Sequence, residues 1–254
     1  MSEVDRIRLE FARRAREIPD DYYALTKIAN LFLYQQRARN AVRALTAFGL
    51  LPITGKRILE VGCGTGGWLP DFELWGAKRS NLAGIDLLPE RIDAARKRLG
   101  VDGLSVGDSS CATGPDLRVG DASKLPWSTG QFDLVVQSTV FTSILDAELK
   151  AAVAAEMLRV LKPDGGAILW YDFSFDNPRN PQVRGVGRRE IRRLFPGCNI
   201  WLSRSTLAPP IARHLVPRSW IVALLFEQLR ALNTHYLGII RRPAGHSGVH
   251  RRAQ

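Results

Sequence analysis

Three acidic residues and a run of glycines carry the chemistry this sequence suggests. Glu60, Asp86 and Asp121 each end or interrupt a short apolar run, and Glu60 leads directly into Gly62-Cys63-Gly64-Thr65-Gly66-Gly67-Trp68. Glycines alternating in this way let the backbone turn sharply and let a ligand approach where a Cβ would stand. Gly62, Gly64 and Gly67 formally satisfy G-x-G-x-x-G, the spacing that binds dinucleotides when a strand precedes it and a helix follows. Glu60 argues for another ligand. A carboxylate repels a pyrophosphate but attracts an ammonium or a sulfonium. Asp86 lies 20 residues beyond Gly66, the distance at which a βαβ unit brings a carboxylate to ribose hydroxyls.

The series Glu60-x-Gly62-x-Gly64-x-Gly66 resembles the first motif of the class I S-adenosylmethionine-dependent methyltransferases. Gly120-Asp121-Ala122 resembles the motif with which that family meets adenine, and Phe132 to Ser138 its fourth-strand motif. Leu161-Lys162-Pro163-Asp164-Gly165-Gly166 resembles its turn into the fifth strand, with Asp164 in place of the first glycine. The resemblance covers about residues 20–242. It implies an α/β, Rossmann-like fold: a seven-stranded, mostly parallel sheet with helices on both faces and an antiparallel last strand. It also implies S-adenosylmethionine as cofactor. Glu60, Gly62, Cys63, Gly64 and Gly66 would then lie at its amino-acid end, Asp86 at the ribose, Leu87 against adenine, and Asp121 with Ala122 at the adenine edge. Gln137, ending the fourth strand, joins this set. The alternatives of another class are a NAD-dependent oxidoreductase built on the same turn and a non-catalytic cofactor-binding subunit.

Methyl transfer is an in-line displacement, so the protein must align the partners, exclude water and take a proton where the acceptor is a hydroxyl. No metal-ligand spacing occurs, and no metal is expected. The chain lacks the Asn/Asp-Pro-Pro-aromatic, Pro-Cys and double-glutamate signatures of amine, cytosine-ring and protein-arginine methylation. These absences leave hydroxyl or simple carboxyl acceptors, and the expected reaction is O-methylation at a hydroxyl of a small molecule or glycan, lipid-linked or phosphorylated forms included. Asp172, closing the fifth strand, and His214 are the candidate proton acceptors; His235 has a similar intrinsic pKa. Tyr22, Tyr23, Phe141, Tyr171 and Arg184 are expected on the acceptor side.

These residues need elements to position them. A charged helix is expected over 2–18, with Val4, Ile7, Phe11 and Ala15 on one face, and a longer helix from Tyr22 to Phe48. Together they form a helical segment over 1–55, read either as a lid over the cofactor or as packing on the sheet. A methyltransferase domain over 56–243 follows, with an insert at about 207–232 and a flexible basic tail over 244–254. Further helices are expected at Trp68–Trp75, Pro89–Leu99, Glu148–Leu161 and Glu190–Phe195, a surface loop between Gly100 and Asp116, and last strands at Cys198–Ser203 and Thr234–Arg241.

The net charge of +11 is unevenly spread: residues 177–254 hold 14 arginines, no lysine and 2 acids. Such a surface suits an anionic partner, and RNA is the second acceptor class considered. The insert combines Trp220, Leu224 and Leu225 with Arg213, Arg218 and Arg230. It fits either a cap on the substrate pocket or a peripheral membrane contact. Cys63, Cys111 and Cys198 are read as reduced thiols, and with no apolar leader at the N-terminus the expected location is cytoplasmic.

Overall fold

In the computed structural model, residues 1–19, 21–101, 114–177 and 180–243 are described. Most of the loop expected between Gly100 and Asp116, including Cys111, and the tail 244–254 lie outside them.

β1 (Ile58–Val61) pairs in parallel with β2 (Leu82–Asp86) on one side and β4 (Leu134–Ser138) on the other. β3 (Asp116–Val119) extends the sheet beyond β2, and β5 (Ala167–Phe173) extends it beyond β4. β7 (Asn233–Arg241) runs antiparallel between β5 and β6 (Asn199–Leu207), giving the order β3-β2-β1-β4-β5-β7-β6. This is the expected seven-stranded sheet with an antiparallel last strand. The chain leaves β1 in both directions, so the carboxyl ends of β1 and β4 flank the crevice where such sheets bind ligands.

β1 and β2 are buried along their whole length, as strands covered on both faces must be. One face carries Ala44 and Leu45 of α2 (Ile28–Ala47), Phe72 of α3 (Leu69–Leu74), and Ile92 and Ala95 of α4 (Pro89–Leu99). The other carries Val153 and Met157 of α5 (Ala147–Val160) and Ile191 of α6 (Arg188–Leu194), joined by Ile7 of α1 (Glu3–Glu17). A third cluster packs Phe32 of α2 against Ala212 of α7 (Pro209–Leu215) and Ala223 of α8 (Trp220–Glu227).

The N-terminal segment differs from expectation. The helix predicted from Tyr22 begins at Ile28, because successive turns hold 21–27 instead: Tyr22 N–H donates to Pro19 O and Ala24 N–H to Asp21 O. The Asn30 amide donates to the carbonyls of Tyr22 and Ala24, at 2.8 and 3.1 Å. α2 is a core helix. The element stretched across the carboxyl edge of the sheet is α1. Its Arg6 donates to the carbonyl of Ser143, after β4, and to Gln182, after β5. Asn180 also donates to its Glu10.

Two acids in the sheet are wholly buried. Burial raises Glu60 to about 8 and Asp172 to about 7. Both therefore hold a proton in the folded chain at pH values where the unfolded chain has released it, so stability falls as pH rises from about 4 to about 8. The melting temperature should drop by roughly 5 °C between pH 6 and pH 9. Glu60→Gln should flatten that decline. A melting temperature that stays level or climbs over this window contradicts the assignment.

Candidate active site

Each strand end spends its acid on the turn beside it. Both Glu60 oxygens accept the Trp68 N–H, at 2.9 and 3.1 Å, and so hold the first turn of α3. Gly67 is glycine for the same reason: a Cβ there would stand 2.9 Å from Glu60 Oε1. Asp86 accepts from Gly64 N–H at 2.8 Å and Leu88 N–H at 3.1 Å, tying the glycine turn to the start of α4. Asp121 accepts from Ser123 N–H at 2.8 Å.

Above these turns lies a cavity of about 790 Å³, within the range of small-molecule sites. One half is lined by Gly62, Asp86, Leu87, Gly120, Asp121 and Ala122. A Cβ on Gly62 would lie 2.4 Å from the Val140 side chain, itself a lining residue, so this wall stays open only with glycine. Thr139, also lining, has φ 56°, in the left-handed region that non-glycine residues rarely enter. The other half is formed by the loop after β5 and the first turn of α7, with Phe173, Phe175, Val183, Pro209 and Pro210. α1 roofs the cavity with Val4, Ile7, Phe11 and Arg14.

Several predicted residues stand elsewhere. Glu60 lies beneath the glycine turn, 1% exposed, because the Trp68 N–H needs a buried acceptor. Cys63 turns its thiol toward Gly84, and burial pushes its pKa up. Gly64 and Gly66 shape the turn without lining the cavity, Gly66 packing against Leu99. Gln137 is buried, its Oε1 accepting from Val140 N–H at 3.3 Å, and its neighbours Ser138 and Thr139 line the cavity instead.

The two proposed bases are also displaced. Asp172 is fully buried outside the cavity and accepts from Phe141 N–H (3.0 Å), Thr142 N–H (3.3 Å), Thr142 Oγ1 (2.8 Å) and Phe173 N–H (2.9 Å). It fixes the turn Phe141–Ser143 and thereby the cavity wall after β4. His214 sits on the exposed side of α7, away from the lining. His235 stacks between Tyr171 (4.6 Å) and Phe173 (3.8 Å), and burial lowers its pKa to about 3.

On the acceptor side, Tyr22 and Tyr23 do line the cavity. Phe141 packs instead on Trp170 at 4.7 Å, Tyr171 shares a hydrogen bond with Thr206 at 2.7 Å, and Arg184 faces solvent. Burial raises Tyr171 to about 12, so its phenol keeps its proton.

Sequence reasoning missed Arg14 and Arg91 altogether and named Arg213 only as part of the insert. Arg91 lies 4.0 Å from the centre of the Phe11 ring, with Arg14 at 5.5 Å from the same ring. Burial lowers the pKa of Arg91; the nearby charge of Asp86 opposes that shift and the charge of Arg14 adds to it. Arg213 stands 4.7 Å from the centre of the Tyr22 ring. All three line the cavity, and none forms an ion pair among the described residues. The apolar face of α1 was visible in the sequence; nothing there said that it faced a cavity.

The profile of a family described as "Methyltransferase domain" matches residues 59–169. A demethylmenaquinone methyltransferase from Deinococcus radiodurans is 28% identical over 186 residues, covering 68% of this chain and 69% of that protein. A fatty-acid O-methyltransferase from Mycolicibacterium smegmatis is 33% identical over 200 residues, covering 72% of this chain and 66% of that protein. The fold matches magnesium protoporphyrin IX methyltransferase from Synechocystis with a TM-score of 0.61 at 16% identity, over 95% of this chain and 98% of that one. These matches displace the dinucleotide-dependent oxidoreductase and the non-catalytic subunit as readings of the glycine turn. The chain belongs to the class I S-adenosylmethionine-dependent methyltransferases and is an enzyme that uses that cofactor.

Proposed function

We propose that the enzyme methylates a carboxylate oxygen of a small, largely apolar acid. The observation that carries this reading is the composition of the cavity wall. Among the described residues it contains no histidine, lysine, glutamate or cysteine; of its three aspartates, Asp86 and Asp121 lie in the cofactor half beside the glycine turn, and Asp176 accepts from the Gly185 N–H. A hydroxyl acceptor would need a base poised to take its proton. A carboxylate, already ionised at neutral pH, needs none. The unpaired arginines supply the cations that such an acceptor and the cofactor's own carboxylate require, since guanidinium groups match carboxylates bidentately. The apolar acceptor half and the names of the quinone and fatty-acid relatives support an apolar body rather than a glycan. The roof formed by α1 favours a small acceptor over RNA.

S-adenosylmethionine, when bound, supplies a methyl group activated by its sulfonium. Asp86 would accept from the ribose hydroxyls, and Asp121 with the Ala122 N–H would meet the adenine edge. Leu87 and Ile7 would cover its faces, and Arg14 and Arg91 would hold the carboxylate. Arg213 would orient the acid at the mouth, while Phe11, Val140 and Phe173 keep water out.

Two measurements test this. In calorimetric titration with S-adenosylhomocysteine, Asp86→Ala and Asp121→Ala should each weaken binding about 10- to 100-fold, with His214→Ala unchanged; full affinity in both aspartate variants contradicts the assigned site. Against a panel of fatty acids and phenols, turnover of the preferred acid should be level from pH 6.5 to 8.5. A rate rising about tenfold per pH unit, with phenols preferred, would show that the acceptor must first lose a proton.

A further inference from the structure

The connection between β6 and β7 has a face that the domain does not use. α8 turns Ala223 inward, sets Trp220 5.1 Å from Phe32, and pairs its Glu227 with Arg39. Outward it presents Ile221 (71% exposed), Val222, Leu225 (65%), Phe226 and, just beyond its end, Leu229 (53%). These positions follow the spacing of a single helical face. A group of large apolar side chains left in water marks an interaction surface.

The unpaired charges that this connection itself carries are of one sign. Arg213, Arg218 and Arg230 are exposed, and none has an ion-pair partner among the described residues. The two acids between residues 177 and 243 are already engaged, Glu190 by Lys150 and Glu227 by Arg39. This apolar face, bordered by arginines and lacking a free carboxylate, is complementary to an anionic bilayer, whose phosphates meet the guanidiniums while the apolar side chains enter the acyl boundary. The location is pertinent as well. α7 packs on α8, and its Pro209, Pro210 and Arg213 line the cavity.

We infer that the α7–α8 connection is a membrane-docking face that seats the cavity mouth on an anionic lipid surface. Docking of this kind holds the enzyme peripherally; no helix among the described residues is long and apolar enough to cross a membrane. The inference does not depend on which atom of the acceptor is methylated.

The test is co-sedimentation of the full chain with vesicles of phosphatidylcholine alone and of phosphatidylcholine mixed with phosphatidylglycerol. Wild-type protein should pellet with the mixed vesicles at low salt and be released as salt rises. The pairs Ile221→Ser with Leu225→Ser, and Arg218→Glu with Arg230→Glu, should each weaken partitioning about tenfold or more. Both should keep wild-type affinity for S-adenosylhomocysteine, which shows that they are folded. Wild-type protein left in the supernatant with both vesicle types overturns the inference, as does undiminished binding by both variants. A concentration-dependent dimer that the Ile221/Leu225 variant abolishes would assign the face to a second copy of the chain and overturn it equally.

Discussion

At the carboxyl edge of a parallel sheet every strand must turn, and each turn leaves backbone N–H groups that need acceptors where little water reaches. This chain answers with carboxyl groups at the strand ends. Glu60 accepts from Trp68, Asp86 from Gly64 and Leu88, Asp121 from Ser123, and Asp172 from Phe141, Thr142 and Phe173. Each bond fixes one wall of the same cavity. Removing an acceptor would leave buried donors unsatisfied and release the turn, which is why these acids serve the fold even where they never touch a ligand. Two of them, Asp86 and Asp121, also line the cavity, so turn and ligand share one group.

That double use explains which parts of the site were legible in the sequence. An acid after an apolar run marks a strand end, and three in succession around a glycine turn identified the sheet and its cofactor. The sequence could not say on which side of the turn a given acid lies. Glu60 and Asp86 look alike as residues, yet one faces the core beneath α3 and the other faces the cavity. Asp172 and His214 failed as bases for opposite reasons, one because four donors enclose it and the other because it faces water. Arg91 escaped notice, and Arg213 was read only as part of the insert, because arginine is the commonest surface charge here; what distinguishes them is that they line the cavity, which is visible only in three dimensions.

The roof was hidden in a similar way. The apolar stripe of α1 was readable, but a stripe says that a helix is covered, not what covers it. Arg6, through the carbonyl of Ser143 and the side chain of Gln182, sets α1 across the cavity rather than on the sheet's outer face. The fold hosts many acceptors, so acceptor chemistry has to be argued from the wall of the cavity. Here that wall pairs apolar side chains with unpartnered guanidinium groups and offers no histidine or glutamate among the described residues.

The most direct test of this account follows the methyl group itself. Purified enzyme, S-adenosylmethionine carrying a carbon-13 methyl and a mixture of apolar acids and phenols would be incubated together, and the product examined by carbon NMR. The account predicts that the label appears as the methyl of a carboxylic ester. A label on a ring carbon or in an aryl ether would contradict it.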